Sequence, residues 1–100
     1  MKLLQMDFAY RGPFGPEMTR ALAGLAADIA REPGLEWKLW TENEATGEAG
    51  GVYLFVDEGS ARAYADKHQA RLAGFGIGPV RARIFDVNPD LSRATRAPLG

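Results

Sequence analysis

The chain has 100 residues, 46% of them hydrophobic and 25% charged, a balance that suits one folded domain with a real core and argues against disorder. Its 12 basic and 13 acidic residues leave a formal charge of −1, so no cationic face is expected to meet nucleic acid. With no cysteine and a single histidine, the sequence offers no disulfide, thiol nucleophile, iron–sulfur cluster, thiolate zinc site or metal centre built on two or three histidines.

The apolar start Met1-Lys2-Leu3-Leu4 is interrupted by Gln5 and Asp7, too early for a signal-peptide core or a membrane span. A cytoplasmic location is the expectation. From Leu3 to Tyr10 residues alternate, with Leu4, Met6 and Phe8 opposed to Leu3, Gln5 and Asp7, which predicts the first strand. Gly12-Pro13-Phe14-Gly15-Pro16 cannot continue a ladder, and Pro16 suits the first position of a helix. Met18, Leu22, Leu25 and Ile29 then follow helical steps, predicting a helix to about Glu32. Pro33-Gly34 ends it. Leu35, Trp37 and Leu39 alternate with Glu36, Lys38, Trp40 and Glu42 in a second strand.

Thr46 to Gly51 is a turn-rich connection, and Val52 to Val56 is continuously apolar, as in a strand covered on both faces and hairpinned to the second. Asp57 or Ser60 can cap a second helix carrying Ala61, Tyr64, Ala65, His68 and Leu72 on one face. Gly74, Gly76, Gly78 and Pro79 end that helix, and their place after it speaks for a cap and turn instead of a nucleotide loop. Val80 to Val87 alternates again as the fourth strand, and residues from about 89 form a tail without clear period. The order strand, helix, strand, strand, helix, strand predicts an α+β, ferredoxin-like sheet with both helices on one face, in a single domain spanning 1–100. The opposite face would carry Leu3, Gln5, Asp7, Lys38, Trp40, Tyr53, Phe55, Arg83 and Phe85. That mixture is too apolar to leave bare, and the sheet of a second copy is its economical cover.

Several residues have chemistry to offer. His68 could act as a general base or as a hydrogen-bond donor to a ligand, although a buried histidine bonded to a carbonyl fits the same position. Trp37 and Trp40 lie three apart on a strand and so point to opposite faces. Glu42, Glu44 and Glu48 surround the hairpin, where solvated turn charges are expected. Tyr53, Tyr64, Arg83 and Asn88 could bond a phenolic or enolic ligand, or close a seam between subunits.

The runs Phe8-Ala9-Tyr10-Arg11-Gly12-Pro13-Phe14-Gly15, Glu32 to Glu42, Glu48 to Glu58, Lys67-His68-Gln69-Ala70-Arg71-Leu72 and Phe85-Asp86-Val87-Asn88 together resemble the YdhR family of monooxygenases over nearly the whole chain. The resemblance implies a dimeric α+β barrel in which two four-stranded sheets pack face to face. It also implies kinship with antibiotic-biosynthesis monooxygenases, which oxidise anthrone-type polycyclic phenols with dioxygen and no cofactor. The partners expected are therefore a second copy, a small aromatic substrate and dioxygen. Phe8, Trp37, Tyr64 and His68 would form the pocket between helices and sheet, with His68 as base or hydrogen-bond partner and Trp37 and Tyr64 as walls. Trp40, Tyr53 and Arg83 are the alternative set, toward the barrel seam. Two other functions suit the same fold: a ligand-binding or stress-response dimer without catalysis, and an isomerase or decarboxylase that needs no oxygen.

Overall fold

Four strands form one antiparallel sheet in a computed structural model that describes residues 1–99: β1 (Lys2–Ala9), β2 (Leu35–Asn43), β3 (Glu48–Phe55) and β4 (Arg81–Asp86), in the order β2-β3-β1-β4. With sequential hairpin strands β2 and β3 adjacent and β1 inserted between β3 and β4, this is the ferredoxin-like arrangement. The predicted first helix is bent into α1 (Gly15–Ala21) and α2 (Ala23–Ile29), with Pro16 in the first turn, one place after the first position expected of it. Leu22 sits at the bend with φ −105° and ψ 10°, yet its carbonyl still accepts from Ala26 N–H at 2.8 Å, so the two pieces form one kinked helix. The second predicted helix is α3 (Glu58–Gly74), capped by Asp57, whose carboxylate accepts from Ser60 N–H at 2.8 Å. A short α4 (Pro89–Ala94), capped by Asn88, lies in the tail, where the sequence showed no period.

The core lies between the helices and one sheet face. Leu4 and Met6 of β1, Tyr53 and Phe55 of β3, Ile29 of α2, and Ala61, Tyr64 and Ala65 of α3 form it. All five residues read as the apolar stripe of the second helix are buried. Two expectations about the sheet are corrected. Tyr53 and Phe55 face the helices and not the opposite side, because a continuous apolar strand carries no alternation from which to read its orientation. In β2, Leu35 pairs with Phe55 but Trp37 pairs with Leu54, so Glu36 is an extra residue in a bulge. Beyond the bulge the alternation reverses. Lys38 and Trp40, opposite Tyr53 and Gly51, turn to the helix side, while Trp37 and Leu39 turn to the other face with Leu3, Gln5, Asp7, Arg83 and Phe85. There the Trp37 indole N–H donates to the Pro98 carbonyl at 2.9 Å, which ties the tail across this face.

Strand β3 also begins earlier than the apolar run suggests, taking in Glu48, Ala49, Gly50 and Gly51. The two glycines belong in the strand for different reasons. A Cβ on Gly50 would lie 2.0 Å from the Met6 carbonyl oxygen, so β1 passes too close for any side chain. A Cβ on Gly51 would lie 2.6 Å from Lys38 Cε, because the lysine stem is laid across this residue.

Candidate functional site

Between α1, α2 and α3 and the sheet lies a cavity of about 60 Å³. Phe8, Leu22, Leu72 and Trp40 wall it, and its polar contributors are Tyr10, Lys38, Tyr53 and His68. Outside it, a groove of about 380 Å³ runs along α1 and α2. Met18, Leu22 and Trp40 line both spaces, so these three side chains are the partition between them.

His68 is 3% exposed and enters the site from the buried stripe of α3. Its ring stacks on Tyr64 with centroids 5.1 Å apart. Arg71, one turn on, donates to His68 Nδ1 from Nη2 at 2.9 Å and from Nε at 3.2 Å, while its Nη1 donates to Asp28 of α2 at 2.9 Å. A guanidinium has no lone pair to accept with, so Nδ1 carries none of the protons and the neutral ring holds its hydrogen on Nε2. Burial first, then the charges of Lys38 and Arg71, push the imidazole down to about 3. His68 is thus a neutral hydrogen-bond donor across the physiological range. The expectation of a histidine bonded to a carbonyl is replaced by a histidine locked by an arginine.

Two phenols extend the polar line. Tyr64 O–H donates to Tyr53 O at 3.1 Å in the buried core. Burial raises both above the usual phenol range, Tyr64 to about 12, which keeps them protonated. Lys38 is half-buried and its ammonium nitrogen lies 3.3 Å from the Trp40 ring centroid and 4.7 Å from that of Tyr53. Burial, and secondarily Arg71, lower its pKa to about 7. The ring faces favour the charged form by roughly 0.5–2 kcal/mol each, which opposes this shift. Among the described residues no group of three or more histidines, aspartates and glutamates is arranged to hold a metal ion.

The family profile described as "Putative mono-oxygenase ydhR" matches residues 3–98. The chain belongs to the ydhR family. No curated protein sequence matches it. A solved structure from Deinococcus radiodurans, titled a putative antibiotic biosynthesis monooxygenase, superposes with a TM-score of 0.58 at 13% identity, covering 88% of this chain and 93% of that one. At that identity the likeness shows the shared fold.

On this ydhR-family scaffold the residues singled out from sequence fall in three places. Phe8 and His68 line the cavity as the first set had them, and Tyr64 lies behind His68 in the core. Trp37 does not join them, since the Glu36 bulge turns it to the far face; Trp40 stands in the position expected of it. The alternative set is divided. Trp40 and Tyr53 line the cavity, whereas Arg83 lies on the opposite face with its guanidinium 5.0 Å from the Phe85 ring centroid. Glu42, Glu44 and Glu48 are exposed, and Glu42 accepts from Gly15 N–H at 2.8 Å, joining β2 to the start of α1. Sequence reasoning missed Lys38, Arg71 and Asp28. The spacing His68 to Arg71 was visible as a helical i, i+3 pair, but Lys38 could be found only by knowing the bulge.

Proposed function

We propose that this ydhR-family chain is a cofactor-free monooxygenase that oxidises a small aromatic or phenolic substrate with dioxygen, as a cytoplasmic homodimer. The observation that supports the reading is the cavity itself: apolar and aromatic walls, with a few polar groups converging from β2, β3 and α3. Triplet dioxygen reacts slowly with closed-shell organic molecules, so the substrate must first become an electron-rich anion able to release one electron. The protein's share is to bind a flat ring, assist removal of a proton and exclude water. For an anthrone, the methylene carbon loses two hydrogens and gains one oxygen atom as a carbonyl, and the second oxygen atom leaves with those hydrogens as water.

The volumes set how such a substrate sits. A benzene-sized ring needs a cavity on the order of 150 Å³. The inner space of about 60 Å³ is too small for one, whereas the adjoining groove of about 380 Å³ is ample. The ring system therefore occupies the groove, with its reacting edge toward His68 and with Trp40, on the edge strand β2, displaced from the partition. His68 Nε2–H then donates to the dioxygen-derived oxygen on which negative charge develops at the reacting carbon. Oxygen uptake by the protein with anthrone, and no added cofactor, tests this. His68→Ala should lower turnover by about 10²–10³-fold, the usual loss of one positioned donor. Wild-type protein that binds anthrone without consuming oxygen would contradict the reading.

A further inference from the structure

We propose that Lys38 is the base that takes the substrate's proton, an inference that rests on the reading of this cavity as an oxygenase site. The chain has three lysines. Lys2 pairs with Asp86 and Glu58, and Lys67 pairs with Glu32. Of these three lysines only Lys38 has no carboxylate partner among the described residues, and it is the one that lines the cavity. Its stem crosses β3 at Gly51, where the absence of a side chain leaves the path open. Its amine then ends between the faces of Trp40 and Tyr53.

The groups around it are committed elsewhere. On α3, His68 Nδ1 accepts from Arg71, and Arg71 is a permanent cation without a lone pair. Asp28 of α2 is bonded to Arg71, and Glu42 of β2 holds Gly15 N–H at the helix start. Tyr53 of β3 and Tyr10 after β1 are phenols whose burial holds them protonated. Lys38 alone offers a free lone pair near neutrality, in agreement with the lowering of its pKa to about 7. In the step itself the substrate C–H bond breaks, its electron pair stays on the substrate as an enolate, and the proton goes to Nζ. The resulting ammonium lies beside that enolate and against the Tyr53 ring face, and its proton later leaves with the departing oxygen atom as water.

Proton removal needs no oxygen, so it is read separately from oxidation. Wild-type protein under strict anaerobiosis in deuterated water should speed loss of the anthrone methylene proton signal, with a rate that rises with pH through a midpoint near 7. Lys38→Met should lower that exchange by about 10²–10⁴-fold. Lys38→Arg should fail similarly, because a guanidinium keeps the charge but is no base. His68→Ala should keep the midpoint. The Lys38 13Cε signal, followed by NMR in the wild type, should titrate near 7, apart from Lys2 and Lys67, which covers the event that a variant does not fold. Exchange that is no faster in wild type than in the variants, or a Lys38 signal that titrates with the other two, overturns the proposal. Lys38-dependent exchange without oxygen uptake sustains it and removes the oxygenase reading instead. Oxygen uptake that survives in Lys38→Met keeps the oxygenase and removes Lys38 as its base.

Discussion

In the proposed site, His68 and Lys38 divide the work expected of a single acid–base residue. Each is a basic group whose charged form the fold disfavours, and each therefore makes stability depend on pH. For His68 the folded value is about 3 and the ordinary value 6.5. As pH falls below 6.5 the unfolded chain takes up a proton that the folded chain refuses, so stability is lost from about 6.5 down to about 3, at close to 1.4 kcal/mol per pH unit within the window. A variant that cannot titrate, His68→Gln, should lose this slope. Denaturant midpoints measured at several pH values should show wild type and variant diverging on acidification, and parallel curves would mean that the imidazole is charged in the folded state. Lys38 operates in the next window, where stability should rise with pH from about 7 to about 10.5 as the unfolded lysine gives up the proton that the folded one has already lost.

The element that decides the site is β2, and within it one residue. Were Glu36 paired in the ladder instead of bulged out of it, Trp37 would face the helices and Lys38 would face away, which is the arrangement simple alternation implies. The cavity's polar character thus follows from a bulge that leaves no mark in hydrophobic patterning. Strand β3 then admits the lysine. Gly51→Ala should leave the fold in place, because the closest group it strikes is a flexible lysine stem, with the Tyr53 ring next at 3.1 Å, but should cost about 1–3 kcal/mol and push Lys38 out of the cavity. Gly50→Ala meets the backbone of β1 and should be the more destabilising of the two. Thermal melts of both variants check the order; a Gly51→Ala variant as stable as the wild type would mean that Lys38 is not packed across Gly51. The fold was largely legible because its signals are local: alternation in β1 and β4, the proline at the start of α1, and the buried stripe and Asp57 cap of α3. The site was legible only where one regular element carries it. His68 on α3 could be placed from periodicity, whereas Trp37, Trp40 and Lys38 depend on a register irregularity, and Arg71 with Asp28 depends on how two helices meet.

At the scale of the whole molecule, one sheet face is covered by helices and the other is left partly bare. Leu39 is 60% exposed and Phe85 37% exposed on that second face, beside the tail anchored at Trp37. Covering such a surface favours self-association, so light scattering at micromolar concentration should return twice the 10.9 kDa chain mass. A folded species of single-chain mass at the same concentration would show that the tail alone suffices. Association and chemistry use opposite faces in this account, since Trp40 faces the cavity and not the seam. A monooxygenase splits dioxygen between product and water, and isotope labelling follows its atoms directly. Chelator-treated protein given anthrone under 18O-labelled dioxygen should consume one molecule of oxygen per molecule of substrate. The quinone formed should carry one labelled oxygen atom in its new carbonyl group, the other appearing in water. A quinone whose new oxygen comes unlabelled from water, or no product beyond the rate without protein, would contradict the claim that this chain is a cofactor-free monooxygenase.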